Sequence, residues 1–230
     1  MKSSIALIMA ATAALALGAQ ERALGAPALK IGMDLGSALE SRRSFRQFTG
    51  GEIAAKDLSS ILWSAAGVNW KQGDKASIAK ADTVSGATEG GRRTMVTAFG
   101  VDYVKTFVLL ADGVWRYDAA RQVLVKVSSK DVRETATLQN FPGRSAVIVF
   151  VADGEALAKM PAPPTIGMET RLNWAFATAG LSVQNVYLSA GALGYGALVV
   201  AFMNEGVARP ALGIGEKDSI LLAMPLGTVK

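Results

Sequence analysis

Apolar and polar positions along this chain change period several times, and each change marks an element. From Lys56 to Gly67, apolar residues recur at Leu58, Ile61, Leu62, Ala65 and Ala66. That three-and-four spacing predicts a helix with one buried face, closed by Gly67. Val101 to Ala111 is rich in Val, Leu and aromatics and predicts a strand. Asp112-Gly113 is a turn signal, and Val114-Trp115-Arg116-Tyr117 returns as a second strand, so a hairpin is expected. A turn at Asp118 to Arg121 leads to a third strand, Val123 to Val127. Ala146 to Ala152 is apolar without a break, as in a strand covered on both faces. After a loop marked by Pro161 and Pro164, Thr170 to Leu193 predicts a long helix. Leu172, Phe176, Ala179, Val183, Val186, Tyr187 and Ala190 fall near one face of it, and its small residues permit close helix packing. Gly194-Tyr195-Gly196 stops it. Leu198 to Phe202 and Ile220 to Leu226 predict the last strands. Asn69 to Arg93 is polar, Gly- and Lys-rich and nearly aperiodic, and a loop of that length is usually functional or disordered. Strands mixed with a few helices, hairpins among them, predict an α+β fold.

The first stretch follows a different rule. Lys2 supplies a positive start, Ile5 to Leu17 is an apolar run, and small residues follow at Ala16, Gly18 and Ala19. This is the pattern of a secretory signal peptide over residues 1–19, too short for a comfortable span of ~20 apolar residues. Cleavage is expected near Gly18 or Ala19, with Ala26 a weaker choice because Pro27 follows. The alternative is an uncleaved membrane anchor. The expected location is periplasmic or secreted, with no membrane attachment after signal removal.

Composition narrows the chemistry. The 230 residues include no cysteine and no histidine. That removes a Ser-His-Asp triad, a Cys-His pair, His- or Cys-based zinc sites and disulfides. Half of the residues are apolar, enough for a substantial core in one domain. The net charge of +5 is spread along the chain with no dense basic run, which argues for an anionic ligand and against nucleic acid. Asp and Glu are scattered, so no metal site is expected. Neither a GxGxxG fingerprint after a strand nor a phosphate loop is present.

One octet stands out: Ser41-Arg42-Arg43-Ser44-Phe45-Arg46-Gln47-Phe48. Three arginines and a serine within five residues can fork onto phosphate oxygens. The bland alternative is a solvated basic helix start. A protein with so few side-chain options would do best with a cofactor that carries its own reactivity, and a flavin fits.

Taken in order, these segments resemble the nitroreductase family of flavoproteins, closest to the branch that includes SagB-type dehydrogenases. The Arg42 to Phe48 segment resembles that family's opening motif, and Asp57-Leu58-Ser59-Ser60-Ile61-Leu62-Trp63-Ser64-Ala65-Ala66-Gly67 its first helix. Asp112 to Asp118 resembles its central hairpin turn, Ala177 to Gly194 with Gln184 and Asn185 its late helix, and Met224-Pro225-Leu226-Gly227 its closing strand. The match runs over about residues 35 to 230, and residues 30–230 are expected to form the domain.

The resemblance implies a sandwich with a mixed or antiparallel central sheet flanked by helices, dimerised through long helices, with FMN at the interface of a homodimer. It implies that Arg42, Arg43, Ser44 and Arg46 hold the FMN phosphate and ribityl chain, and that Gln139 makes a polar flavin contact. It places the backbone N–H groups of Val199, Val200 and Ala201 near the isoalloxazine, and Lys230 within reach of the phosphate. A family segment ending in asparagine, offered by the partner subunit, reads Val96-Thr97-Ala98-Phe99-Gly100 here. Thr97 keeps a hydroxyl, whereas Gly100 lacks the amide. An acidic-glycine pair that often follows the late helix reads Val200-Ala201. Gln184-Asn185 reads as a structural helix pair, and the tryptophans as core or interface residues, Trp70 excepted because it lies in the loop. Two function classes follow. One is an exported FMN oxidoreductase acting on a small organic substrate, with NAD(P)H a candidate transient donor. The other is a non-catalytic flavin- or anion-binding protein on the same fold.

Overall fold

Ala146–Ala152 (β7) is buried at every position, and the rest of the fold is arranged around it. Ala146, Ile148, Phe150 and Ala152 enter one core while Val147, Val149 and Val151 enter a second on the opposite face. The unbroken apolar run is the sequence of a strand with both faces covered. The structure is a computed structural model that describes residues 20–70 and 92–230. The expected signal peptide and nearly all of the long polar segment lie outside the described residues.

Six further strands join β7 in one sheet. They are Glu21–Ala23 (β1), Val104–Leu110 (β4), Gly113–Asp118 (β5), Val123–Ser128 (β6), Tyr195–Ala197 (β8) and Ser219–Thr228 (β9). Their order is β1-β6-β5-β4-β7-β9-β8, and every neighbouring pair is antiparallel. The expected hairpin is present, with Leu110 paired to Gly113. Val68–Trp70 (β2) and Arg92–Arg93 (β3) form a separate two-stranded ribbon.

One face of the sheet carries Ala55–Ala66 (α2) and the long Met168–Ala192 helix (α4). Ile61, Leu62 and Ala65 of α2 are fully buried between Trp115, Ile148 and Phe150 of the sheet and Ala179, Val186 and Ala190 of α4. Buried serines at positions 59 and 60 add no orphan hydroxyls, because Ser59 donates to the Gly25 carbonyl and Ser60 to that of Lys56. The other face is closed by Glu205–Leu212 (α5) and by Val132, Ala136 and Phe141 of a long loop. Two short helices are also present, Leu35–Ser41 (α1), capped by the Asp34 carboxylate, and Gly154–Lys159 (α3), capped by that of Asp153, with a 3-10 turn at Ala98–Gly100. Among the described residues, no helix is long and apolar enough to cross a membrane.

Three expectations change. Leu198 to Phe202 is not a strand. The strand is Tyr195–Ala197, and the chain then leaves the edge, bridging Ala223 through Val200 and Thr137 through Met203. Phe176, expected on the buried face of α4, is exposed, and Thr178, Ser182 and Ser189 are buried instead. Folded structure also begins ahead of residue 30: β1 pairs with β6, Leu24 is buried, and the Ala28 N–H donates to Ser60 Oγ.

Candidate functional site

The octet leaves α1 in extended conformation and runs across one end of the sheet. The Phe45 N–H donates to the Ala197 carbonyl at 3.0 Å, Phe48 to Pro142 at 3.2 Å, Thr49 to Thr228 at 2.9 Å and Gly50 to Gly143 at 3.0 Å. Four chain segments therefore meet here. The approach is close enough to exclude side chains. Gly143 has φ +76°, and a Cβ there would run into the Phe48 carbonyl. A Cβ on Gly196 would meet Val229 and lie 2.8 Å from Phe45 Cγ.

The four predicted side chains of the octet differ in their surroundings. Arg42 lies over the Tyr187 ring, 5.2 Å from its centroid, and makes no ion pair among the described residues. Arg46 is exposed and makes none either. Arg43 turns back on α1, donating to the carbonyls of Glu40 at 2.7 Å and Arg42 at 2.9 Å. There it satisfies a helix C-terminus, a task cations suit. Ser44 Oγ lies 3.0 Å from the Tyr187 hydroxyl.

Gln139, Val199, Val200, Ala201 and Lys230 belong to segments that meet at this end. Gln139 is exposed, and its carbonyl accepts from Thr137 Oγ1 at 2.9 Å, three residues before Pro142. Lys230 follows Thr228 and Val229 and is exposed. The backbone donors differ from expectation. Val199 N–H is committed to the Tyr187 hydroxyl at 2.8 Å, and Val200 N–H to the Ala223 carbonyl at 2.8 Å. Of the three, Ala201 alone keeps an N–H without a partner among the described residues.

Thr97 lies elsewhere. Its segment is held near Thr178, nine residues before Tyr187 on α4, which is about 13 Å at 1.5 Å per residue. Thr178 Oγ1 donates to the Val96 carbonyl at 3.0 Å, and the Ala98 N–H donates to the Tyr103 hydroxyl at 2.8 Å. Phe99 sits at φ +56°, 5.7 Å from the Trp174 ring, and is 44% exposed. The Thr97 hydroxyl caps nothing. Within one chain, the structure does not bring Thr97 to the arginines.

Sequence reasoning missed three residues. Tyr187 was placed on the buried face of its helix, but a buried tyrosine also needs hydroxyl partners, and here they are two site segments. Tyr195 accepts from the Ala54 N–H at 3.2 Å and donates to Asp57 Oδ2 at 2.9 Å, tying β8 to α2. Burial pushes that hydroxyl's pKa up, and Asp57 adds to the rise, so it stays a donor at neutral pH. Arg144 is wholly buried and donates to the carbonyls of Arg133 and Phe141 and to Glu134, at 2.7, 2.6 and 2.9 Å. It fixes the loop that carries Gln139, and no spacing signal in the sequence marks it. Gln184-Asn185 is structural at least in part: Asn185 Nδ2 donates to the Ser64 carbonyl at 2.9 Å.

A sheet with α2 and α4 on one face, α5 on the other and a basic, hydroxyl-rich segment across its end defines an α+β protein. The Nitroreductase family model matches residues 39–228, and the chain belongs to that family. It is 27% identical over 204 residues to "Putative nitroreductase MJ1384" of Methanocaldococcus jannaschii, covering 84% of this chain and 90% of the relative. A solved "putative nitroreductase" of Ralstonia eutropha superposes with TM-score 0.75 at 28% identity, over 91% of this chain and 90% of that one. The E. coli microcin synthetase McbBCD complex contains a chain of the same fold, with TM-score 0.62 at 13% identity, over 90% and 79%. The chain is thus an oxidoreductase of the nitroreductase type.

Proposed function

We propose that this chain is an exported FMN-dependent oxidoreductase that works as a homodimer on a small organic substrate. The observation that carries the reading is the pair of arginines without carboxylate partners, Arg42 and Arg46, on either side of Ser44 where four segments meet. These donors fit a phosphate monoester: two guanidinium groups and a hydroxyl, with no carboxylate paired to either arginine among the described residues. Arg42, Ser44 and Arg46 would hold the phosphate end. Arg43, already bonded to helix carbonyls, would contribute field more than contact. Ala201 N–H and Gln139 are the donors left for the ring end, and Lys230 is close enough in the chain to join the phosphate.

When bound, FMN supplies hydride acceptance and donation at its N5 position. The protein's own tasks are to bind, to orient and to deliver protons. With no histidine or cysteine in the sequence, protons come from Tyr, Lys, Asp, Glu, substrate or water. Two features support a dimer. Phe176 and Leu181 are exposed apolar residues on α4, with Ala177 and Gly180 exposed between them. The Thr97 segment also lies too far from its own chain's arginines to serve them. The SagB-type branch and export are parts of this proposal too. Export is compatible with cleavage near Gly18 or Ala19, which would leave β1 intact, whereas a cut after Ala26 would remove β1 and the buried Leu24. N-terminal sequencing of the exported protein decides between them.

The direct test is to purify the protein, denature it and identify what is released. FMN at about one per chain supports the proposal, and a flavin-free protein that FMN does not saturate rejects it. A non-catalytic flavin-binding role is the second reading. It is favoured by the internal use of the Val199 and Val200 N–H groups and by Gly100. Steady-state turnover with NAD(P)H or a quinol separates the two.

A further inference from the structure

The Tyr187 hydroxyl sits between a group that can only donate and a group that can do either. The tyrosine is 7% exposed, on the buried side of α4. Its oxygen accepts the Val199 N–H at 2.8 Å. An amide nitrogen offers no lone pair, so that bond has a single sense. Ser44 Oγ, at 3.0 Å, is the other partner of the same oxygen among the described residues.

The count of protons then orders the chain. A phenol has one proton, and a buried tyrosine places it on an acceptor. Ser44 Oγ is the acceptor within reach, so Tyr187 donates to Ser44. The reverse sense would leave the phenol proton without an acceptor among the described residues. It would also be the weaker arrangement, because an oxygen that already accepts an N–H is polarised toward donating. The Ser44 hydroxyl is thus left with its own proton to give. Ser44 is exposed, and its oxygen makes no other hydrogen bond among the described residues.

The same ring lies under the Arg42 guanidinium, 5.2 Å from the ring centroid. One side chain therefore seats a cation and aims a hydroxyl proton. A group that meets both does best with oxygens that accept and carry no proton. A phosphate monoester has such oxygens, whereas a neutral hydroxyl end brings a proton of its own. We propose that Tyr187 is a positioning residue for the arginine segment: it holds the Ser44 hydroxyl as a donor and so tilts the site toward a phosphoryl end over a neutral hydroxyl end. The inference rests on the phosphate reading above and adds to it a residue outside the octet. Tyr187 acts through Ser44, not by contact with the ligand.

The test titrates the full chain with FMN, with riboflavin and with inorganic phosphate, in the unaltered protein, Ser44→Ala, Tyr187→Phe and the double variant. Ser44→Ala should weaken FMN binding about tenfold, the loss of one charge-assisted bond, and Ser44→Thr should restore most of it. Tyr187→Phe should lower the ratio of FMN to riboflavin affinity severalfold. A general loss of stability, or release of the Val199 N–H to the ring end, would leave that ratio in place. In the Tyr187→Phe background, Ser44→Ala should cost FMN much less than it does alone, because members of one hydrogen-bond network do not add. Inorganic phosphate should show the same coupling. Additive losses, or an unchanged ratio in Tyr187→Phe, would overturn the proposal. Coupled losses with phosphate while neither flavin binds would uphold the relay and reject the flavin reading. A chain that binds neither phosphate nor FMN would overturn both.

Discussion

Helix α4 braces two loops through hydroxyl groups, and the loops are otherwise unlike. Near its C-terminal end, Tyr187 joins Ser44 to the Val199 amide. Near its middle, Thr178 and, with it, Tyr103 join the Val96 carbonyl to the Ala98 amide. The first brace holds an extended, cation-bearing segment that also bonds to three other segments through its backbone. The second holds a turn with Val96 73% exposed and Phe99 in a left-handed conformation that costs a non-glycine residue about 1 kcal/mol or more. The first site is assembled within one chain. The second presents apolar surface and strain that, among the described residues, only the Trp174 ring partly covers, which is what a loop made for another surface looks like.

The largest effect should come from the first brace's cargo. Arg42 has no acid partner among the described residues, so its charge is available, and a charge-assisted bond contributes ~1.5–3 kcal/mol. Arg42→Ala should weaken FMN binding tenfold or more by equilibrium titration. Arg43→Ala should cost far less, within the ~0.3–1 kcal/mol of a cation at a helix C-terminus, and should appear as lower stability. Equal losses in the two variants would mean that Arg43 leaves its helix to join the ligand.

Tyr187→Phe tests the brace itself. It keeps the ring under Arg42 and removes two neutral hydrogen bonds of ~0.5–1.5 kcal/mol each. The melting transition should fall and flavin affinity should drop severalfold. The Val199 N–H, freed of its partner, becomes a donor that a flavin ring can use. Flavin affinity that rises while stability falls would show that Tyr187 competes with the cofactor for that amide.

The two braces were unequally legible in the sequence. The octet was readable because three arginines in five residues is a local pattern, and its resemblance to a family motif fixed its place. The α4 helix was readable from its periodicity, yet Phe176 was assigned to the core because hydrophobicity cannot tell a face that meets the sheet from one left open. The short strand at Tyr195–Ala197 hid behind glycines that read as a helix stop, and Pro210 and Gly206 hid α5. Hydroxyl bridges such as Tyr187 to Ser44 span 143 positions. No local period encodes them.

Neither brace contains a carboxylate, so acid should loosen the molecule elsewhere first. Burial opposes ionisation of Asp153. It is outweighed by the Ala156 and Glu155 N–H donors and by Lys105 at 3.0 Å, so the carboxyl stays below the usual carboxylate range. A depressed carboxylate stabilises fully above its unfolded value of ~3.9 and loses that contribution as pH falls through the lower folded value. Urea unfolding should therefore show stability declining below about pH 4, with a shallower decline in Asp153→Asn. An identical slope in that variant would assign the acid sensitivity to Asp112, Asp118 or Asp131, which are also depressed.

The smallest change in stability should come from Phe99→Asn. Asparagine tolerates the left-handed region better than phenylalanine, so the strain of about 1 kcal/mol is partly relieved. The variant also forfeits the tilted contact with Trp174, worth about 0.5–1.5 kcal/mol for an aromatic pair. The two terms oppose and nearly cancel, so the melting temperature of the isolated chain should scarcely move. Association should respond differently. If the ring is held out for a second copy, dissociation of the dimer on dilution, followed by light scattering or sedimentation, should begin at higher protein concentration in the variant. A clear loss of stability with unchanged association would make Phe99 a local packing residue, and the contrast between the two braced loops would then reduce to exposure alone.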